Sequence, residues 1–236
     1  MSFIVGADGC KAGWILAIRQ GENPAVIRIA LAEDIAAIFH LVPDLAVLAI
    51  DMPIGLPDVI SGPGRVAEQA VRPMLGARQS SVFSIPVRAA VEATDYGEAC
   101  RAALAGSNPP RKVAKQGFNL FPKILEIDRA LRADPARAPR VFETHPEFVF
   151  RQISGEPLRH PKKTAEGHVE RRDLLVSTGI DAAIMTGPVP PGAGRDDLLD
   201  ALACSHTALR ITQGLGRPYP DPPPRDRHGL PIAIWA

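Results

Sequence analysis

The stretch FIVGADGCKAGWILAI, residues 3–18, decides how the fold begins. Residues 3–7 are a short β-favouring run that ends in the turn-prone pair Asp8-Gly9, and residues 14–18 are a second apolar run. Two such runs joined by a few turn residues are typical of a β-hairpin. The β-branched run AVIRIA at residues 25–30 predicts a third strand that extends the hairpin.

A helix and a buried strand follow this three-stranded meander. Residues 32–41, AEDIAAIFHL, place Ile35 and Ile38 on one helical face, with acidic side chains near the favourable N-terminal end. Residues 45–50, LAVLAI, are uniformly apolar, as a strand buried on both faces should be, and Asp51 comes directly after them. The predicted order is therefore βββαβ.

The segment from residue 52 to about 140 has a different pattern. It is punctuated by Pro and Gly, favours helix and contains no strong strand signal, so we interpret it as an insertion. It carries 13 Lys+Arg and 8 Asp+Glu, a net charge of +5, which leaves 14 minus 18, or −4, for the rest of the chain. A whole-chain charge of +1 argues against a surface that is basic all round, but it permits a local basic patch.

The remainder of the chain again alternates between apolar runs and turn-rich segments. The predicted elements are a strand at 140–144, a short helix around 148–153, a basic loop at 155–172, a helix at 171–179, the best helix of the chain at 195–213 and a terminal strand at 230–235. No linker separates two complete cores. We therefore expect one α/β domain, residues 1–236, with a large, mainly helical insertion at about 52–140, after the fourth strand.

The composition is that of a globular protein. Hydrophobic residues make up 46% of the 236 residues, enough for a substantial core, and no apolar run approaches the length of a membrane helix. The three cysteines form no zinc-type pair, and the N-terminus lacks the pattern of a signal peptide. We expect a soluble cytoplasmic protein without a membrane partner, and the oligomeric state is open, a homo-oligomer included.

Four aspartates point to a metal site. Asp8 and Asp51 end the first and fourth strands, and the carboxyl ends of neighbouring strands are where α/β sheets place their sites. Asp197 and Asp200 lie at i and i+3 on the helix at 195–213, where a carboxylate beside an apolar stripe is costly unless a cation neutralises it. Hard divalent ions such as Mg²⁺ or Mn²⁺ prefer oxygen ligands, and they can activate water against a phosphodiester.

A looser group follows the predicted strand at 140–144. Glu143 is a candidate ligand, and His145 or Glu147 is a candidate for proton transfer. Structural explanations stay open for these residues, because aspartates also suit turns and helix N-termini and a lone histidine is often structural.

Several motifs together resemble a known family. The segments are VGADGCKAGW, AIDMPIGLP, RQSSVFSIPVRA, ETHPEFVF and DDLLDALAC, which are spread over nearly the whole chain. They look like the domain-of-unknown-function family 429, described as predicted ribonuclease H-like nucleases, and the late helix is similar to that of Holliday-junction resolvases. The resemblance implies a ribonuclease H-like mixed sheet flanked by helices. It also implies metal ligation by Asp8, Asp51, Asp197 and Asp200, with Glu143 as an accessory acid.

The chain also offers candidate substrate contacts. In the insertion, Arg78 and Arg88 suit bidentate phosphate binding, and Ser80 and Ser81 suit hydrogen bonds to the same groups. Lys11, in the first turn, is either a further phosphate contact or an ordinary solvated lysine.

Three classes of function fit these features. The leading hypothesis is a metal-dependent nuclease or phosphodiesterase, in which the acids bind Mg²⁺ or Mn²⁺ and the insertion binds nucleic acid. The second is an ATP-binding phosphotransferase of the actin-like or sugar-kinase class, because VGADGCKAGW also matches a phosphate-binding hairpin; that class normally needs two such domains. The third is a non-catalytic nucleic-acid-binding or scaffold protein with the same fold.

Overall fold

The structure is a computed structural model that describes residues 2–21 and 26–236. The strands are β1 (Phe3–Cys10), β2 (Gly13–Gln20), β3 (Ile27–Ala32), β4 (Leu45–Ile50), β5 (Ile60–Ser61), β6 (Ser107–Asn108), β7 (Val141–Glu143), β8 (Pro218–Tyr219) and β9 (Ile234–Trp235). The α-helices are α1 (Ile35–Leu41), α2 (Val66–Val71), α3 (Arg88–Val91), α4 (Tyr96–Gly106), α5 (Lys115–Phe118), α6 (Phe121–Ala133), α7 (Pro146–Ser154), α8 (Ala165–Ser177), α9 (Ala182–Thr186) and α10 (Arg195–Thr212). Two 3₁₀ segments span Arg72–Ser81 and Ala138–Arg140.

The chain divides into two compact units. The first contains Met1–Met52, Pro139–Arg217 and Trp235–Ala236, and the second contains Pro53–Ala138 and Pro218–Ile234. The second unit thus covers the predicted insertion and adds a segment from near the C-terminus. The expectation that the whole chain is one domain stays a prediction.

The first unit is built on a five-stranded mixed sheet in the order β3-β2-β1-β4-β7. Antiparallel pairing of β1 with β2 and of β2 with β3 confirms the predicted hairpin and meander. β4 runs parallel to β1, and β7 runs parallel to β4. The α/β class is therefore confirmed, and the arrangement is consistent with a ribonuclease H-like sheet. Ala25, the first residue of the predicted third strand, lies outside the described residues.

The core of this unit lies between the sheet and α10. This helix packs against β1, β2 and β4, and its apolar stripe is buried as the sequence predicts. Leu198 and Leu202 share a cluster with Ile15 and Ala17 of β2. Burial of this stripe fixes which face of α10 meets the sheet, and therefore where the polar residues of the helix point.

Helix α8 differs from the prediction, because it begins inside the segment 155–172 for which the sequence predicts a loop. Its first residue is Ala165, and the side chain of Thr164 caps it. The residues that α8 buries include Arg171 and Leu175, so its inner face is not a continuous apolar stripe. Hydrophobic periodicity therefore does not reveal the first turns of this helix.

The second unit is mainly helical, as the sequence predicts for the insertion. It contains α2 to α6, and its strands β5 and β6 pair over only two residues each. Buried arginines contribute to its interior, since Arg65 is 1% exposed and binds Glu68.

The terminal strand is shorter than the prediction, because β9 covers only the last two residues of 230–235.

Candidate metal centre

The parallel pairing of β1 with β4 brings Asp8 and Asp51 close together. In the parallel pair β1 and β4, Ala7 lies opposite Ile50, and the Asp51 amide donates a hydrogen bond to the Ala7 carbonyl oxygen at 2.9 Å. On the other side of β4, Glu143 lies opposite Ile50 at the end of β7. The prediction that Asp51 directly follows the fourth strand is confirmed. The prediction that Asp8 ends the first strand is wrong, because β1 continues to Cys10 and Asp8 pairs with Ile15 of β2.

Helix α10 brings a third carboxylate to this edge of the sheet. The helix crosses β1 at Gly6, where an added Cβ would lie 2.0 Å from the Ser205 nitrogen and 2.2 Å from the Ala201 carbonyl oxygen. Only glycine permits such a close approach, so the helix rests on the strand backbone to backbone. Asp200 directly precedes Ala201 and is 4% exposed.

Asp8, Asp51 and Asp200 form what we call the carboxylate cluster. One carboxylate oxygen of each residue lies within 4.8 Å of the corresponding oxygens of the other two. Asp8 and Asp200 are buried, and Asp51 is half-buried. Three carboxylates at this separation repel one another unless they bind protons or cations.

Burial and mutual repulsion raise the pKa values of the cluster. Burial is the largest cause for Asp8, whose pKa lies well above its ordinary value, and the charges of Asp51 and Asp200 add to the shift. Burial raises the pKa of Asp51 to about 7, although nearby Lys162 acts in the opposite direction. Burial likewise raises the pKa of Asp200 to about 6, opposed by Lys162 and supported by Asp51. Fully ionised, the cluster would therefore carry more negative charge than its surroundings neutralise.

Lys162 is a cationic neighbour of the cluster that the sequence does not single out. Its Nζ donates a hydrogen bond to Oδ2 of Asp200 at 3.0 Å and lies 3.9 Å from a carboxylate oxygen of Asp196. Burial disfavours its charge, but the negative charges of Asp200 and Asp8 outweigh burial and raise the pKa of Lys162. Lys162 lies in the polar segment between α7 and α8, where no motif or periodicity marks it.

Three other predicted site residues of this unit do not belong to the carboxylate cluster. Asp197 is outside the carboxylate cluster, and its Oδ2 accepts a hydrogen bond from the Gly194 amide at 2.8 Å, at the start of α10. Glu143 is buried at the end of β7 and is also outside the cluster. His145 is the N-cap residue of α7. Metal binding or catalysis by these three residues stays a prediction.

Two residues that the sequence suggests for chemistry are held in buried ion pairs instead. Glu147 accepts a hydrogen bond from the Arg171 guanidinium at 2.7 Å, so it is occupied as a structural partner. Arg88 is fully buried and donates to Asp128 at 2.9 and 2.8 Å and to Asp226 at 2.8 Å. Carboxylates of the protein thus occupy both terminal nitrogens of the Arg88 guanidinium, and phosphate binding by Arg88 stays a prediction.

The remaining candidates for substrate contacts lie nearer the surface. Lys11 is exposed in the turn between β1 and β2, and Ser80 is exposed at the end of the 3₁₀ segment. Ser81 donates its hydroxyl hydrogen bond to the Arg78 carbonyl oxygen at 2.8 Å. Phosphate binding by these four residues stays a prediction.

The fold and the site define an α/β protein with a carboxylate cluster at the carboxyl-terminal edge of its central sheet. The chain belongs to the family described as "Protein of unknown function (DUF429)", whose model matches residues 6–225. This confirms the family that the motifs resemble. No curated protein and no solved structure gives a significant match. Within the described part of the chain, no helix combines the length and apolar character needed to cross a membrane.

Proposed function

We propose that this protein is a divalent-metal-dependent phosphodiesterase that cleaves nucleic acid. The observation that carries the proposal is the carboxylate cluster, in which two strands and a helix bring oxygens of Asp8, Asp51 and Asp200 within 4.8 Å of one another. Holding three such acids together below the protein surface is costly without a cation. The arrangement therefore supports a metal-binding role.

The cluster fits Mg²⁺ or Mn²⁺ by its chemistry. All three donors are carboxylate oxygens, which hard divalent ions prefer to nitrogen or sulfur. The raised pKa values of the three side chains mean that the metal-free cluster retains protons that a divalent ion would replace. When bound, such an ion lowers the pKa of a water nucleophile and stabilises the charge that develops on a phosphodiester.

The protein fixes the positions of these side chains through their backbones. Asp8 and Asp51 each follow a paired residue of β1 or β4, and α10 rests directly on β1 at Gly6. Oδ1 of Asp8 also accepts a hydrogen bond from the Gly9 amide at 2.7 Å, which orients that carboxylate. Sites built on strands and packed helices hold their geometry better than sites on loops, which suits a catalytic centre.

Nucleic acid is the proposed substrate because of the charge distribution. The segment 52–140 carries a net charge of +5, against −4 for the rest of the chain. Its exposed basic side chains include Arg101, Arg111, Lys112 and Lys115. Since the whole chain carries only +1, we expect modest binding that weakens steeply with added salt.

The test is a cleavage screen with matched variants. Single-stranded DNA, duplex DNA, RNA–DNA hybrid and branched DNA are incubated with the protein and Mg²⁺ or Mn²⁺, and products are resolved on denaturing gels. We expect Asp200→Asn to abolish cleavage. Asp44→Asn is the control, because Asp44 is exposed just before the opposite end of β4 and lies outside the cluster. If wild type and Asp200→Asn cleave equally, the activity does not come from this site.

The same preparations separate the alternatives. An ATP-binding phosphotransferase would turn over ATP, and its class normally needs two large sheets; the described residues contain one sheet of more than two strands. A scaffold protein would show no cleavage of any substrate above the Asp200→Asn background. Either result would replace the phosphodiesterase proposal.

A further inference from the structure

The ammonium group of Lys162 binds a carboxylate that a metal ion would need as a ligand. It binds Oδ2 of Asp200 at 3.0 Å, and Asp200 supplies one of the three oxygens of the carboxylate cluster. The charge of Lys162 also acts on Asp8 and Asp51. A divalent ion bound through the Asp200 carboxylate would lie close to the ammonium group that this carboxylate already binds, and the two cations would repel each other.

The segment that precedes Lys162 is anchored to α8. Both carboxylate oxygens of Glu170 accept backbone hydrogen bonds, from Arg159 at 2.9 Å and from His160 at 3.0 Å. The Arg171 guanidinium donates to the His160 carbonyl oxygen at 3.2 Å. The backbone just before the lysine is therefore held by two side chains of the helix that follows it.

The backbone around the lysine is equally constrained. The Thr164 hydroxyl donates to the Pro161 carbonyl oxygen at 3.0 Å and accepts from the Gly167 amide at 3.0 Å. A Cβ on Gly167 would lie 2.0 Å from that same Pro161 oxygen, so the loop and α8 are in direct backbone contact. The side chain of Lys162 is nevertheless 43% exposed, which leaves it room to withdraw into solvent.

A single ammonium group neutralises only part of the cluster. Three carboxylates face one lysine, and the Lys162 ammonium forms its hydrogen bond with Asp200. A divalent ion carries twice the charge and can bind several carboxylates at once, so it can displace the lysine. A held backbone with a partly exposed charged tip is suited to such an exchange.

We propose that Lys162 is a tethered counter-ion that occupies the carboxylate cluster in the metal-free protein and must leave Asp200 before a divalent ion binds. The inference rests on the proposed metal centre and adds its regulation. Lys162 stabilises the metal-free protein, sets the ion concentration at which the centre fills, and after displacement presents a free ammonium group beside the site, where it can bind a substrate phosphate.

The test measures Mn²⁺ binding by isothermal titration calorimetry on the full-length protein. Lys162→Met removes the charge and keeps a side chain of similar length, and Lys162→Arg keeps the charge. Lys163→Met is the matched control, because it removes one exposed charge from the neighbouring position. We expect Lys162→Met to bind Mn²⁺ about tenfold more tightly than wild type, which corresponds to about 1.4 kcal/mol. Lys162→Arg and Lys163→Met should bind like wild type.

A second measurement does not depend on the metal. In EDTA, Lys162→Met should unfold at a lower temperature than Lys163→Met, because the cluster has lost its counter-ion. Equal or weaker Mn²⁺ binding by Lys162→Met would overturn this inference alone. Failure of every variant, wild type included, to bind Mn²⁺ would overturn the metal centre and this inference with it.

Discussion

Replacing Asp51 by Asn tests whether the metal-free cluster is under electrostatic stress. The pKa of Asp51 is raised to about 7 in the folded protein, so the folded state holds its proton more tightly than the unfolded state does. The stability from that proton is complete below the unfolded pKa of about 4 and is lost as pH rises through about 7. Asparagine does not titrate, so Asp51→Asn lacks this loss.

The size of the effect follows from the shift. The folded-state pKa of Asp51 lies about two units above pH 5. At about 1.36 kcal/mol per unit, ionisation of a fully buried carboxyl would remove roughly 3 kcal/mol from the free energy of unfolding. Asp51 is half-buried and keeps part of its hydration, so we expect about half of that, roughly 1.5 kcal/mol. Raising the pH from 5 to 8 should therefore increase the free energy of unfolding of Asp51→Asn relative to wild type by this amount.

The assay is urea unfolding in EDTA at both pH values, followed by fluorescence of the buried Trp14. Asp44→Asn is the control and should track wild type. Comparing variants at each pH cancels the titrating groups outside the carboxylate cluster. Saturating Mn²⁺ should reverse the order at pH 8, because a ligand at 100 times its dissociation constant adds about 2.7 kcal/mol to wild type. An unchanged gap between Asp51→Asn and wild type across this pH range would refute the reasoning.

Three further predictions concern stability. Arg88→Met should lower the free energy of unfolding by about 3–5 kcal/mol, because Asp128 and Asp226 would remain buried without this guanidinium; chemical denaturation measures this. Gly6→Ala should cost about 1–3 kcal/mol and weaken Mn²⁺ binding, because its Cβ pushes α10 off β1; denaturation and calorimetry measure the two effects. Burial and the charge of Arg210 lower the pKa of His206 to about 4, so its stabilising effect is present above pH 6.5 and is lost as pH falls through 4. An NMR titration of the imidazole checks the pKa, and His206→Gln should flatten the acid side of the stability profile.

Each of these has a control in the chain. Arg101 is exposed, so Arg101→Met should change stability by no more than about 0.5 kcal/mol. Gly117 has no atom within 4 Å of an added Cβ, so Gly117→Ala should be tolerated. His40 is exposed, and His40→Gln should leave the acid side of the stability profile unchanged. If a test variant behaves like its control, the corresponding contact does not have the role assigned to it.

The central sheet and two carboxylates were accessible to sequence reasoning because local patterns encode them. The apolar runs of β1 and β4 each end in an aspartate, and parallel pairing places both aspartates at one edge. The stripe of α10 is a strong helical period, which also fixes the side on which Asp200 lies. In these places short-range pattern and long-range packing agree.

The rest depends on contacts that no local pattern records. Arg88 binds partners 40 and 138 residues away in sequence, so its motif suggests a phosphate although its partners are internal carboxylates. The first turns of α8 have no apolar stripe, because Arg171 takes a buried position and is paired with Glu147. Lys162 lies beside the carboxylate cluster because of the path that the loop between α7 and α8 follows, which its own sequence does not encode. Tertiary pairing of charges, rather than propensity, decides all three.

The carboxylate cluster draws on residues 8, 51 and 200, and this spacing has a consequence during synthesis. A ribosome completes β1 to β4 long before it reaches α10, and domains form as their segments emerge. The nascent chain thus carries two of the three acids while the third, and the lysine that accompanies it, do not yet exist. Under the proposed function, a product that terminates before residue 200 cannot cleave nucleic acid, because it lacks the third carboxylate of the cluster.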